Sequence, residues 1–192
     1  MLTIKIPTDY HTYPGNNLTN YTNILFLYPI YYLHKLQKGK TSTRKTKLLY
    51  VHLFILFIAS IYYHSNPTNN TFIPDMFAVS TLVLLSSIIL LDISTKNILY
   101  IYLISILSVG YFKQSGNLLG HVLVLGGIPG YVAFCLWNTG INKELIQISV
   151  LMVMLRLVEY NDKRIYNYTK IINGHSLKHI LSVCAIIKIL QL

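Results

Sequence analysis

The stretch Gly174-His175-Ser176-Leu177-Lys178-His179 leads directly into an apolar run, Ile180 to Leu192. This pattern predicts a helix over 174–192 with a polar head. On such a helix the two histidines, four residues apart, share one face, with about 5–6 Å between their Cβ atoms. That separation suits one metal ion, because zinc–nitrogen bonds are about 2.0–2.1 Å long. Two solvated histidines at a helix end would give the same spacing, so the pair alone leaves both interpretations open.

The composition indicates a membrane protein. Of the 192 residues, 53% are hydrophobic and only 11% are charged, whereas a soluble domain has about 25% charged residues. The apolar residues lie in long blocks, which is typical of a polytopic membrane protein. The net charge of +10 does not indicate nucleic-acid binding, because the basic residues lie between the blocks and not on one soluble face. Cys135 and Cys184 both lie inside apolar runs, so we expect no disulfide.

Seven apolar runs predict an all-α, seven-transmembrane-helix bundle that forms a single membrane domain over 1–192. Each run approaches the length of about 20 residues that crosses the hydrocarbon core. Pro29 interrupts the first run and predicts a kink there. The predicted helices follow a polar arm at 1–20 and lie at about 21–33, 48–64, 75–91, 97–112, 118–137, 141–158 and 174–192.

The basic residues predict the orientation of this bundle. The segment after the first run contains six of them, and Lys or Arg in short loops marks the cytoplasmic side. We therefore expect the N-terminus outside and the C-terminus in the cytoplasm, although three basic residues between 159 and 173 oppose this mildly. The six residues are Lys35, Lys38, Lys40, Arg44, Lys45 and Lys47.

With seven alternating helices, the end of the second, the start of the third and the start of the seventh share the outer face. His64 is then available as a third metal ligand, with Ser60 one turn deeper on the same side of its helix. Asp75 begins the third helix. Each residue also has a simpler interpretation. Asp75 could satisfy free N–H groups at a helix start, Ser60 could allow close packing, and His64 could face water. Polar groups that meet at membrane depth are usually functional.

The other four histidines have no partner at metal-ligand spacing. They are His11, His34, His52 and His121. His52 falls at the opposite end of the second predicted helix, and His121 is retained only as a residue that supports a ligand.

Taken together, these residues resemble a known family. The pattern Ser60-x-x-x-His64, then Asp75, then Gly174-His175-Ser176-Leu177-Lys178-His179 is similar to the alkaline ceramidases. The likeness is to their bacterial branch, with its Gly-His-Thr-Leu-Lys-His signature. The wider group of seven-helix membrane hydrolases includes the adiponectin and progestin receptors. The stretch Asn16-Asn17-Leu18-Thr19-Asn20 also resembles the family's Asn-Thr-Leu-Ser-Asn before the first helix. Asp75 is followed by Met76-Phe77, where the family usually has a Pro-Met pair two residues later.

The resemblance implies zinc at His64, His175 and His179, with Ser60 and Asp75 as the catalytic set. It implies cleavage of the amide bond of a ceramide-like N-acyl sphingoid base in a bilayer, with Asp75 carrying the proton and Ser60 stabilising the oxyanion. Calcium is not expected, since the arm has Asp9 as its one carboxylate where eukaryotic relatives have several acids.

Two other classes remain open. In a receptor-like or non-catalytic seven-helix protein the zinc would be structural. A small transporter would need ionisable residues midway along several helices, and the apolar runs contain few of them away from their ends. The sequence does not indicate the natural lipid, the oligomeric state or the compartment, which would be the cell membrane of a bacterium or an endomembrane of a eukaryote.

Overall fold

The computed structural model describes residues 19, 21–38, 43–90, 98–117, 120, 123–127, 130, 134–135 and 143–191. The described residues contain no strand, which confirms the all-α class. A 3₁₀ turn, Asn23–Phe26, directly precedes the first of the α-helices, and a π-helical segment lies at Leu123–Gly127. The α-helices are α1 (Leu27–Lys38), α2 (Arg44–Ser65), α3 (Asn69–Leu90), α4 (Ile98–Ser115), α5 (Lys143–Tyr160), α6 (Asp162–Thr169) and α7 (Gly174–Leu190).

Six of the predicted helices have a counterpart in this order. The predicted fifth helix, 118–137, falls mostly outside the described residues, as does the polar arm with Asp9. The kink predicted at Pro29 corresponds to a change of helix type, because the 3₁₀ turn passes into α1 just before it. A proline is tolerated there, since the first turn of an α-helix needs no N–H donor.

Helix α2 begins earlier than predicted, inside the basic segment. Thr43 and Thr46 form a capping box. The Thr46 N–H donates to the Thr43 hydroxyl at 3.2 Å, and the Thr43 N–H donates to the Thr46 hydroxyl at 3.0 Å. Two of the free donors at the helix start are thereby satisfied. Arg44, Lys45 and Lys47 thus lie in the first turns of α2, and not in a loop as predicted.

Helix α3 also begins earlier than predicted, at Asn69 and not at Asp75. Thr68 and Thr71 exchange hydrogen bonds at its start: the Thr71 N–H donates to the Thr68 hydroxyl at 3.2 Å, and the Thr68 N–H donates to the Thr71 hydroxyl at 2.9 Å. Asp75 therefore lies in the second turn of the helix, where backbone N–H groups already have intrahelical acceptors. This placement removes the interpretation of Asp75 as a helix-start residue.

The polar segment between α5 and α7 contains a helix that the sequence analysis did not predict. Helix α6 ends at Thr169, and the next residue, Lys170, caps it with a φ of 58° in the left-handed region. Its N–H donates to the Tyr166 carbonyl at 2.8 Å, which is a common way to close a helix. The short helix α6 brings the chain back to the start of α7.

The helices pack in an order that brings the first and the last of the described helices together. Each of α1 to α4 packs against its neighbour in sequence, and α5 packs against α7. Helix α7 also contacts α1 and the 3₁₀ turn, and the turn contacts α2. Helices α7 and α2 therefore meet at the 3₁₀ turn Asn23–Phe26.

The outer surface of these helices is apolar. Helix α2 has 22 residues and a mean hydropathy of 1.6, and it is the one helix in the described part of the chain that is long and apolar enough to cross a membrane. Its exposed side carries large hydrophobic residues, and so does that of α4. On α2 they are Val51, Phe54, Ile55, Ile58 and Tyr62. The multi-pass arrangement and its orientation stay predictions.

Candidate metal centre

Three buried histidines meet at the end of α2 and the start of α7. His64, His175 and His179 are 3%, 5% and 4% exposed. The ring centroids lie 4.8 Å apart for His64 and His175, 5.5 Å for His64 and His179, and 5.0 Å for His175 and His179. Each ring offers one nitrogen, and these nitrogens all lie within 4.8 Å of one another. The three residues are close enough to bind a metal ion, as the sequence analysis predicted.

The start of α7 is held by two side chains from outside the histidine cluster. The side-chain oxygen of Asn173, Oδ1, caps the helix by accepting from the Ser176 N–H at 2.6 Å. Thr19 holds this cap, because its hydroxyl accepts from Asn173 Nδ2 at 2.9 Å. The His175 N–H donates to Asp162 Oδ1 at 2.6 Å. An acidic side chain at a helix N-terminus is stabilising, so α6 fixes the position of His175.

Gly174 allows α7 to approach the preceding helices closely. A Cβ atom at this position would overlap the Val158 carbonyl oxygen and would lie 2.7 Å from the Cα atom of Asp162. Only glycine fits against a backbone at that distance. The first residue of the motif is thus explained by packing, and the two histidines after it by the site.

The hydrogen bonds around Thr22 favour one tautomer of His179. The Thr22 hydroxyl donates its one proton to the Thr19 carbonyl oxygen at 2.8 Å. It also lies 3.0 Å from His179 Nδ1, and there it acts as the acceptor, since a hydroxyl has a single proton to donate. Nδ1 therefore carries the hydrogen, and Nε2 keeps the lone pair that a metal requires.

A charged network lies beside the cluster. Lys178 Nζ is 2.8 Å from Glu159 Oε1 and 3.4 Å from His175 Nδ1, and Arg156 Nη1 is 2.7 Å from Glu159 Oε2. Burial alone would raise the pKa of Glu159, but the charges of Lys178 and Arg156 outweigh it and hold the pKa at about 2. The network ties the lysine of the motif to the end of α5.

Ser60 and Asp75 lie together next to the histidine ligands. Ser60 is one helical turn before His64, is 2% exposed, and donates to Asn23 Oδ1 at 2.8 Å. The Asp75 carboxyl is a second hydrogen-bond acceptor for the same hydroxyl. Asp75 is 8% exposed, and its Oδ1 atom has no hydrogen-bond partner among the described residues. A buried acceptor in that state is costly and is suited to receiving a proton from a bound molecule.

The donor set fits zinc in type and in number. Catalytic zinc sites have three protein ligands and one open position, and neutral imidazole is a usual ligand. In a tetrahedral site the nitrogens would be about 3.4 Å apart, as follows from bonds of about 2.0–2.1 Å. The nitrogens lie within 4.8 Å of one another, and χ2 of histidine is a soft torsion, so ring rotation changes their separation.

The two other histidines that the structure describes lie away from the cluster. His52 is buried at the other end of α2, with Nδ1 2.7 Å from the Leu48 carbonyl oxygen and Nε2 2.9 Å from the Tyr102 hydroxyl. His34 is exposed and lies against the Tyr50 ring. His11 and His121 are outside the described residues.

Sequence reasoning missed the side chains that support the ligands, namely Thr22, Asn23, Glu159 and Asp162. They come from segments that are distant in sequence and have no spacing rule to mark them. The one available signal was the density of hydroxyl and amide groups in Asn17-Leu18-Thr19-Asn20-Tyr21-Thr22-Asn23, at the start of a predicted membrane helix, where such groups need partners.

No protein-family model, curated protein or solved structure matches this chain. The family resemblance stays a prediction that rests on the residues quoted above.

Proposed function

We propose that this chain is a zinc-dependent hydrolase that cleaves the amide bond of a lipid inside a membrane. The substrate class is an N-acyl sphingoid base, which would yield a fatty acid and an amine. The observation that carries the proposal is the cluster of three buried histidines whose nitrogens lie within 4.8 Å of one another, on the same side of the bundle as the buried Ser60 and Asp75.

The ligands would be His64, His175 and His179, with His179 binding through Nε2. A bound zinc ion supplies a Lewis acid that lowers the pKa of a water molecule to about 7 and polarises a carbonyl group. Thr22 and Asp162 support this role, because a ligand is effective only when its orientation is fixed by groups behind it.

Asp75 is the general base and acid of the proposed reaction. Its unpartnered Oδ1 accepts a proton from the attacking water as the C–O bond forms. It returns the proton to the nitrogen as the C–N bond breaks, so that the amine leaves neutral and the acyl group leaves as the fatty acid. Ser60 lies beside this carboxyl and belongs to the part of the site that faces the carbonyl oxygen.

The membrane setting is part of the proposal: seven spans, with the N-terminus outside. Its support is the apolar outer surface of α2 and α4, which water does not favour over such an area. A helix that is apolar on its exposed and its buried side is typical of a membrane span.

The decisive experiment is incubation of the purified, detergent-solubilised protein with a panel of N-acyl lipids. We expect about one zinc per chain and release of fatty acid, with loss of release on chelation and recovery on zinc addition. Zinc retained without hydrolysis of any N-acyl lipid would overturn the enzyme and leave the receptor-like class with a structural metal.

The topology has its own test. Single cysteines are placed in the segments 65–70 and 44–47, in a chain whose Cys135 and Cys184 are replaced. A membrane-impermeant thiol reagent should label the first segment from outside and not the second. The reverse pattern would show that the orientation is wrong.

A further inference from the structure

The 3₁₀ turn Asn23–Phe26 lies beside the candidate site, although the sequence analysis assigned it no role. Thr22, directly before the turn, contacts His179, and Phe26 packs its ring edge-on at 5.4 Å from the His179 ring. Asn23 points the other way, to Ser60. The turn therefore contacts a metal ligand on one side and the catalytic set on the other.

The hydrogen-bond inventory of Ser60 limits what it can do. A serine hydroxyl has one proton, and here that proton is directed at Asn23 Oδ1 over 2.8 Å, with the Asp75 carboxyl as a second acceptor beside it. While that bond is made, Ser60 has no proton to offer to a developing oxyanion. The donor role predicted for Ser60 therefore needs a second group.

Asn23 supplies such a group. Its side chain is 0% exposed, and its Nδ2 atom has no hydrogen-bond partner among the described residues. The bond from Ser60 to Oδ1 fixes the plane of the amide, so that Nδ2 is held in one direction without being used. A buried donor that is oriented and unpartnered is what a site for developing negative charge requires, and such a donor is otherwise costly.

The two unpartnered atoms around Ser60 have complementary chemistry. Asn23 Nδ2 is a donor and Asp75 Oδ1 is an acceptor, and both residues neighbour the Ser60 hydroxyl. Amide hydrolysis needs a donor for the carbonyl oxygen and an acceptor for the proton of water. The site contains one of each.

We propose that Asn23 is a catalytic residue that donates a hydrogen bond from Nδ2 to the carbonyl oxygen of the substrate as negative charge develops, while Ser60 holds the Asn23 amide in position. This inference rests on the proposed amidase function. It assigns the oxyanion-stabilising role to a residue that is not among those on which the family resemblance rests.

The test compares two substitutions with different meanings. Asn23→Ala removes the whole amide. Asn23→Asp keeps the shape and the acceptor for the Ser60 proton, but replaces the Nδ2 donor with a negatively charged oxygen. Each variant is measured for zinc content, for kcat and KM on an N-acyl sphingoid base, and for binding of a phosphinate analogue of that lipid, which carries the negative charge of the tetrahedral state.

We expect full zinc content in both variants and a fall in kcat of about 10²–10³-fold in Asn23→Ala, the usual effect of removing one oxyanion donor. Asn23→Asp should fall at least as far, and its affinity for the phosphinate should fall in parallel with kcat while KM stays close to that of the wild type. If Asn23 only holds Ser60, Asn23→Asp should turn over lipid like the wild type, and that result would overturn the inference.

Asn117 provides a matched control, because it is a buried asparagine whose Nδ2 donates to the Tyr111 hydroxyl at 3.2 Å. Asn117→Ala should keep its turnover within a few-fold of the wild type.

If Asn23→Ala does not fold, Asn23→Asp decides the question alone. A wild-type protein that neither hydrolyses the lipid nor binds the phosphinate would overturn the amidase function, and the role of Asn23 with it. If the wild type and the Asn23→Asp variant are both active, only the proposed role of Asn23 is overturned.

Discussion

Helix α2 holds two buried histidines in opposite situations. His52 and His64 are 4% and 3% exposed, so burial does not distinguish them. Both ring nitrogens of His52 are satisfied by the protein, one by the Leu48 carbonyl and one by the Tyr102 hydroxyl. His64 faces the rings of His175 and His179 at 4.8 and 5.5 Å. The groups around each ring therefore separate a structural histidine from a candidate ligand.

The largest expected effect comes from removing these two rings separately. His64→Ala should lose zinc and all measurable turnover, because two remaining ligands do not make a catalytic zinc site. His52→Ala should keep about one zinc per chain and its activity, and should lower only the thermal midpoint in detergent. Metal analysis after gel filtration measures the first difference. Equal zinc content in the two variants would contradict the assignment of His64.

Asp75→Asn should have the next largest effect, and it tests chemistry apart from metal binding. The amide has nearly the same shape as the carboxyl group but cannot take up a proton at Oδ1. Zinc content should stay at the wild-type level while kcat falls by about 10²–10⁴-fold, the usual contribution of general acid–base catalysis. Steady-state hydrolysis of an N-acyl lipid measures the fall. Unchanged turnover would remove the base from the mechanism while leaving the ligands in place.

Much of this site could be predicted from the sequence, for identifiable reasons. The i, i+4 spacing places His175 and His179 on one face whatever the rest of the fold, and alternating helices bring the end of α2 to the start of α7. The helix starts were less predictable. Helices α2 and α3 begin at Arg44 and Asn69, before their apolar runs, because threonine caps extend both helices into polar sequence. A hydropathy pattern does not detect such a cap.

The contacts of the supporting side chains could not be predicted. Thr22 is 157 residues from its partner His179 in the sequence, and Asn23 is 37 residues from its partner Ser60. Their roles depend on the order in which the helices pack, and the sequence does not contain that order in any local pattern. The same limit applies to Asp162, whose helix α6 is polar and gave no apolar periodicity to read.

Thr22→Val should have a smaller effect than the loss of a ligand or of the base. It removes the hydroxyl that lies 3.0 Å from His179 Nδ1 while preserving the shape of the side chain, and leaves the Thr19 backbone as the other hydrogen-bond partner of His179. Residues behind a metal ligand usually contribute about 10–100-fold to metal affinity. Competition against a zinc chelator of known affinity should show a weakening of that size, and Thr22→Ser should restore the affinity. A Thr22→Val variant that binds zinc like the wild type would show that the tautomer of His179 is set by another group.

The smallest expected effect lies at the other histidine. Tyr102→Phe removes only the hydroxyl that lies 2.9 Å from His52 Nε2, and Tyr102 is itself only partly buried. The loss of one such hydrogen bond should lower the free energy of unfolding by about 1 kcal/mol, which a thermal scan in detergent would register as a small shift. Zinc content and turnover should be unchanged, because neither nitrogen of His52 faces the histidine cluster. If Tyr102→Phe lowered zinc content, the two ends of α2 would be coupled, and His52 could not be treated as a purely structural residue.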